Sequence, residues 1–382
     1  MKLTQLQTTE ERIKFLEKSI THFSEHARTH DEAGTFPFEN FATLKSIGYP
    51  ALTVPKKYGG LGISLVEMLQ MQEKIAIQDG STALAIGWHM GITKNLGETD
   101  TWNEAVYKKF AEDVVARGAL INNVASEKAT GSPTRGGLPE TTARKTEDGW
   151  ILNGRKTFAT LAPVLDYISV SATIEGTEKV ASFLVRSDLH GVSVDETWDS
   201  IAMKATGSHD LVFDEVMLQK EDLVHYLTPG HKQAQGWLLH IPACYLGIAK
   251  AAQQYAVNFA KTYSPNSVKG TIADIPAVQQ KLGEIELRVL ESSAFLYHIA
   301  NKWDQADETK RNQLKPELSA VKLAVVNKAV DIVDIAMRVV GARSLSASNP
   351  LQRYYRDVRA GIHNPPMDDM TLMQLATHSL NN

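Results

Sequence analysis

One cysteine stands in 382 residues, Cys244, so the chain can form no internal disulfide and no Cys-based metal site. That scarcity fits a reducing compartment, and a cytoplasmic location is expected. No run of 18 apolar residues occurs, and the opening MKLTQLQTTEERIKFLEK lacks the apolar core of a signal peptide. Neither a membrane span nor export is therefore expected. Charge of one sign is not in excess. The net −4 gives no pull toward nucleic acid or an anionic membrane surface. Repeats and low-complexity tracts are absent. So are GxxxxGK[ST], a GxGxxG after a strand, and a GxSxG elbow, which removes the P-loop, Rossmann and serine-hydrolase readings.

What is present divides by texture. The length calls for two or three lobes. Residues 1–120 carry helical periods: Ile13, Phe15, Leu16, Ile20 and Phe23 recur near every 3.6 residues, with Thr8 or Thr9 as N-cap. SLVEMLQMQEKIAIQ and STALAIGWHMGITKNLG predict two more helices, the second buried. Over 121–227 the period becomes two. In YISVSATI, Ile168, Val170, Ala172 and Ile174 alternate with hydroxylic residues, and Asn153-Gly154 predicts a hairpin turn. The expected middle lobe is an antiparallel β-barrel or sandwich. From 228 to 382 long helical patterns return. Asp274 and Pro276 predict the start of one helix; Pro316 opens another that Gly341 closes. A further helix is expected within 231–262, so this lobe reads as an antiparallel, four-helix-bundle-like domain. The fold class is α+β.

Several segments bear on chemistry. HFSEH (22–26) has the spacing of a two-histidine zinc site, but no third ligand is evident and a solvated helix face is expected; no metal site is predicted. Cys244 lies in an apolar helical stretch and reads as a buried structural thiol. NNVASEKATGSPTRGG (122–137) is rich in small and hydroxylic residues, which let backbone approach an anion or polar heterocycle closely. KTFAT (156–160) puts Phe158 and Thr160 at a strand end, where a ring face and a hydroxyl suit a flat ligand.

Taken in order, these segments resemble the acyl-CoA dehydrogenase superfamily over nearly the whole chain. LTVPKKYGGLG is similar to its P-x-x-(Y/F)-G-G-x-G, and ASEKATGSP to its flavin loop (T/S)-E-x-x-x-G-S-D. GWILNGRKTFAT, AMKATGSHDLVFDEVMLQ and PLQRYYRDVRA resemble three further family motifs. The resemblance implies an N-terminal helical domain, a middle β domain and a C-terminal helical bundle, in a homotetramer or dimer. It implies FAD, with FMN as the alternative. Ser126 would approach the reactive edge of the isoalloxazine, Gly131 and Ser132 would serve the pyrophosphate, Phe158 would stack on the ring and Thr160 would reach its N5/O4 edge. RVVGARSL stands for the adenosine motif Q-x-x-G-G-x-G-Y, with Arg338 in place of the glutamine and Gly341 retained.

The departures bear on the reaction. Family members draw the α-proton of a thioester with a glutamate in (Y)-E-G-T after the R-D motif; Pro365 stands there instead, in AGIHNPPMDD. The alternative place for that base, GWLLHIPACYLG, contains no acid. General-base help is worth about 10²–10⁴-fold, so its loss is serious. The family's flavin-dependent monooxygenases, of dibenzothiophene and hydroxyphenyl type, lack that glutamate and use histidines. His89 in IGWHMG and His363 in GIHNPP are the matching catalytic candidates. The sequence therefore leans to an oxygen-using monooxygenase supplied by a flavin reductase. Acyl-CoA dehydrogenation with a non-standard base, passing electrons to an electron-transfer flavoprotein, is the alternative. A non-catalytic flavin-binding relative is the third. Asp368 and Asp369 are expected to cap a final helix rather than replace the base.

Overall fold

The computed structural model describes residues 1–99, 101–130, 137–227, 234–267 and 269–381. The N-terminal lobe contains α1 (Thr9–Ser19), α2 (Phe23–Ala33), α3 (Phe38–Ser46), α4 (Leu65–Gln78), α5 (Gly80–Glu98) and α6 (Glu104–Arg117). Thr8 starts α1 through a capping box: its hydroxyl accepts from the Glu11 amide, and the Glu11 carboxylate accepts from the Thr8 amide. Arg12 then ties α1 to α4 by a buried ion pair with Glu67, Nε to Oε1 at 2.6 Å. The helix α5 is buried along almost its whole length, as its apolar sequence requires.

The middle lobe contains β1 (Ile121–Val124), β2 (Thr142–Lys145), β3 (Gly149–Lys156), β4 (Tyr167–Ile174), β5 (Val180–Arg186), β6 (Val192–Asp195), β7 (Asp210–Gln219) and β8 (Leu223–Leu227). They join one sheet in the order β6-β7-β3-β2-β4-β5-β8. Most pairs are antiparallel, but β1 and β2 lie end to end along one edge of β4 and run parallel to it. The parallel pairs arise because the β2–β3 hairpin and a long loop separate β1 from β4.

Asn153-Gly154 makes no hairpin. The β2–β3 turn lies at Thr146–Gly149, and Asn153-Gly154 sits inside β3 at a bulge opposite β7. Gly154 has φ +150°, and a side chain there would strike Thr141. Asn153 pairs reciprocally with Glu215 across the bulge, so its amide serves the strand pair instead of a turn.

The C-terminal lobe contains α7 (His240–Thr262), α8 (Pro276–Gln305), α9 (Glu308–Gln313), α10 (Lys315–Val340), α11 (Pro350–Ala360) and α12 (Asp368–Asn381). Pro276 occupies the first turn of α8, while Asp274 closes the short turn before it. Gly341 ends α10 with φ +71°. The helix α7 packs against α4, α5, α8, α10 and α11. One apolar core therefore runs from Leu69 and Ile75 through Leu152 and Phe183 to Leu246 and Ile332. Among the described residues no helix is long and apolar enough to cross a membrane.

Candidate active site

After Lys156 the chain leaves β3 through a tight segment with two non-glycine residues at positive φ, Phe158 (+56°) and Leu161 (+72°). Such backbone is held only where its surroundings fix it. Here the Thr157 amide donates to the Ser126 carbonyl (2.9 Å), the Ala159 amide to His209 (3.0 Å) and the Leu161 amide to Thr206 (3.2 Å). The result presents Phe158 to solvent at 68% exposure, with Trp198 edge-on at 5.9 Å. An aromatic face held out on fixed backbone is a ledge for a flat ring. Thr160 and Ser208 share a hydroxyl hydrogen bond of 2.9 Å that continues to Thr206. Asn122 donates to the Thr160 carbonyl, while its buried Oδ1 has no partner among the described residues. Ser126, Phe158 and Thr160 thus share one patch.

A buried ion pair lies under that patch. Glu127 accepts from Lys156 Nζ at 2.6 Å, from the Thr141 amide and hydroxyl, from the Glu140 amide and from Thr130. Burial pushes its carboxyl upward, but the Lys156 and Thr141 hydrogen bonds outweigh this and hold it down at about 2. Burial also lowers Lys156, and Glu127 works against that shift. The pair locks the start of the glycine-serine loop to the end of β3. Sequence reasoning passed over both residues, although each sits inside a quoted motif. They are 29 positions apart, and only the β3 fold-back brings them together.

The R-D motif reaches the ledge through a short chain of contacts. Asp357 accepts from the Met203 amide (2.7 Å), Met203 accepts from Trp198 Nε1 (3.3 Å), and Trp198 touches Phe158. Burial drives the Asp357 carboxyl up to about 7, against the Met203 hydrogen bond and the nearby Arg353 charge. Arg356 reaches the other way, to Asp31 and to the Ile201 carbonyl. From Asp357 the helix α11 runs on into a 3₁₀ turn, Gly361–His363, that leaves His363 exposed in the single chain. The next residue, Asn364, accepts from the buried Tyr245 hydroxyl at 2.6 Å. Asp368 lies in the first turn of α12, bonded to Lys322 and Asn327, and Asp369 follows it there.

The remaining candidates lie elsewhere. His89 is fully buried, and both ring nitrogens are engaged by backbone: Nε2 donates to the Pro50 carbonyl and Nδ1 accepts from the Ile121 amide, each at 3.1 Å. Burial holds its pKa down at about 4. A neutral ring with no free edge is a staple between α5 and β1. Arg338 lines a groove of about 420 Å³ on α8 and α10 with Lys281, Arg288, Asp331 and Asp334, and Gly341 follows at the exposed end of α10. Neither adjoins Phe158 within one chain. Gly131 and Ser132 fall outside the described residues. No cluster of potential metal ligands occurs among the described residues, and Cys244 is buried, with burial raising its thiol well above the ordinary value.

This architecture is that of a flavin-dependent oxidoreductase, as the family matches and a half-identical relative show. Family models for the N-terminal, middle and C-terminal domains of acyl-CoA dehydrogenase match residues 4–100, 123–216 and 239–364. The chain is 52% identical to the "Putative acyl-CoA dehydrogenase YdbM" of Bacillus subtilis (strain 168), over 94% of this chain and 93% of that protein. It is 29% identical to L-evernosamine nitrososynthase of a Micromonospora species, over 90% and 83% of the two chains. The FMN-bound structure of TdsC, a dibenzothiophene monooxygenase of Paenibacillus sp. A11-2, superposes with a TM-score of 0.85 at 22% identity, covering 97% of each chain; that likeness concerns the fold alone. The chain belongs to the acyl-CoA dehydrogenase family.

Proposed function

We propose that the chain is a flavin-dependent acyl-CoA dehydrogenase that desaturates the α,β bond of an acyl thioester. The half-identical, nearly full-length relative of that name carries the reading. It reverses the order expected from Pro365, since the nitrososynthase and monooxygenase relatives are far more distant. FAD is the proposed flavin, with FMN as the alternative, in a homotetramer or dimer. The orphaned Asn122 Oδ1, the outward Phe158 face and the hydroxyls of Thr160 and Ser126 suit the polar edge and flat face of such a ring. When bound, the flavin would supply a hydride acceptor for the β-carbon.

The chain's own residues do the rest. Phe158 would set the plane of the ring, and the Glu127–Lys156 pair would hold Ser126 and Glu127 beside it. His363, two residues before Pro365, is the proposed acceptor of the proton from the α-carbon, because it is the basic side chain in the segment where the family keeps its glutamate. His89 has no part in this chemistry. Electrons would leave to an electron-transfer flavoprotein.

Anaerobic addition of a mixed acyl-CoA set to the holoprotein should bleach the flavin. His363→Ala should keep its flavin and slow bleaching by roughly 10²–10⁴-fold. Unchanged bleaching by that variant removes His363 from the role. A second reading, an oxygen-using monooxygenase fed by a separate reductase, is favoured by the proline at the glutamate's place. It prevails if acyl-CoA leaves the flavin oxidised while chemically reduced enzyme consumes oxygen rapidly.

A further inference from the structure

At the junction of α4, α5 and α7 lies a buried group of polar atoms that the proposed chemistry does not use. His240 is fully buried, and neither ring nitrogen has a hydrogen-bond partner among the described residues. Gln72, also fully buried, donates its amide to the Ala83 carbonyl at 2.5 Å and leaves Oε1 without a partner. Trp237 Nε1 is orphaned as well. Their rings adjoin: Trp237 is parallel to His240 (4°, centroids 6.0 Å apart), and Trp88 meets His240 edge-on at 4.9 Å. Gly87 faces the group, and a methyl there would collide with both His240 Nδ1 and Gln72 Nε2.

An orphaned buried donor or acceptor costs about 1–3 kcal/mol, and native chains rarely tolerate several in one place without a use. The place itself is connected to the ledge. Trp88 adjoins His89, whose imidazole holds the Ile121 amide, and the next residue, Asn122, holds the Thr160 carbonyl.

We infer that His240, Gln72 and Trp237 form a polar end to the substrate site, which reads a hydroxyl or oxo oxygen on the acyl tail. The inference rests on the acyl-thioester reading above. A hydroxyl donates to Gln72 Oε1 while it accepts from the indole N–H or the imidazole N–H. A tail ending in methyl leaves all of these atoms unpaired. A carboxylate tail is excluded on other grounds. Burial pushes His240 down to about 3, so it brings no positive charge to meet an anion among aromatic walls.

The test uses the holoprotein and matched pairs of straight-chain and ω-hydroxy acyl-CoA esters of four to ten carbons, with the ω-carboxy esters as a third set. Calorimetry gives binding, and anaerobic bleaching gives turnover. At the best-fitting length the ω-hydroxy ester should bind about tenfold tighter than its methyl counterpart, with the ω-carboxy ester weakest. His240→Phe, which keeps an aromatic ring between the tryptophans, should reverse the preference while flavin content stays the same. Gln72→Leu provides a second variant should the first fail to fold, and should shift the preference in the same direction. Equal binding of methyl and hydroxyl tails, or no thioester binding at all, overturns the inference. Hydroxyl preference without bleaching by any ester leaves the tail pocket standing and sinks the desaturation reading. Bleaching with no tail preference does the reverse.

Discussion

At the scale of single residues, the Glu127–Lys156 pair shows how a charge too deep for water is made useful. With side-chain exposures of 1% and 0%, each ion depends on the other and on the Thr141 and Glu140 donors. Removing one partner from such a pair typically costs about 3–5 kcal/mol, because the survivor stays buried and uncompensated. Glu127→Gln should therefore lower the melting temperature by several degrees and weaken flavin retention in a dialysis assay, while Lys156 loses its counter-charge. Unchanged flavin retention in a folded variant would detach the pair from the loop's function. His89 gives the opposite lesson. Its sequence context, a histidine in an apolar helix, is equally compatible with chemistry and with a staple. Only the positions of Pro50 and Ile121, neither predictable from local pattern, decide for the staple.

Among elements, α11 carries a titration with a definite sign. The Asp357 carboxyl ordinarily ionises near 3.8, and in the fold it does so at about 7. Below pH 4 it is protonated in both states, so the full benefit of the fold is present. Between pH 4 and 7 the folded chain holds a proton that the unfolded chain has lost, so stability falls as pH rises, levelling off above 7. Asp357→Asn, which can still accept from the Met203 amide, should flatten that part of a melting-temperature profile. A slope identical to that of the parent chain would assign it to other groups. The elements themselves were legible to unequal degrees. Helices declared themselves through period and punctuation, as at Thr8, Pro276 and Gly341. Asn153-Gly154 misled because the same freedom at positive φ serves a bulge as well as a turn, and the choice depends on β7, some sixty residues away. The five motifs pointed to Phe158 and Thr160, but no local pattern could tell that Trp198 and Met203 connect them to Asp357.

For the whole molecule, the decisive feature is that α7 packs at once against the N-terminal helices and the C-terminal bundle. A core continuous from Ile75 to Ile332 gives the lobes no separate interiors. Thermal unfolding of the holoprotein should therefore show one cooperative transition by both calorimetry and flavin fluorescence; distinct transitions would show lobes that melt independently. The ledge has a consequence of another kind, in the economy of the cell. Phe158 is 68% exposed on backbone held at positive φ, and Ile201, three residues past its contact Trp198, is 75% exposed in the single chain. Such a patch is what chaperones and proteases recognise and what drives chains to stick together. Withholding riboflavin during expression should therefore lower the soluble yield of this protein, and a yield independent of riboflavin would show that this patch does not drive its loss.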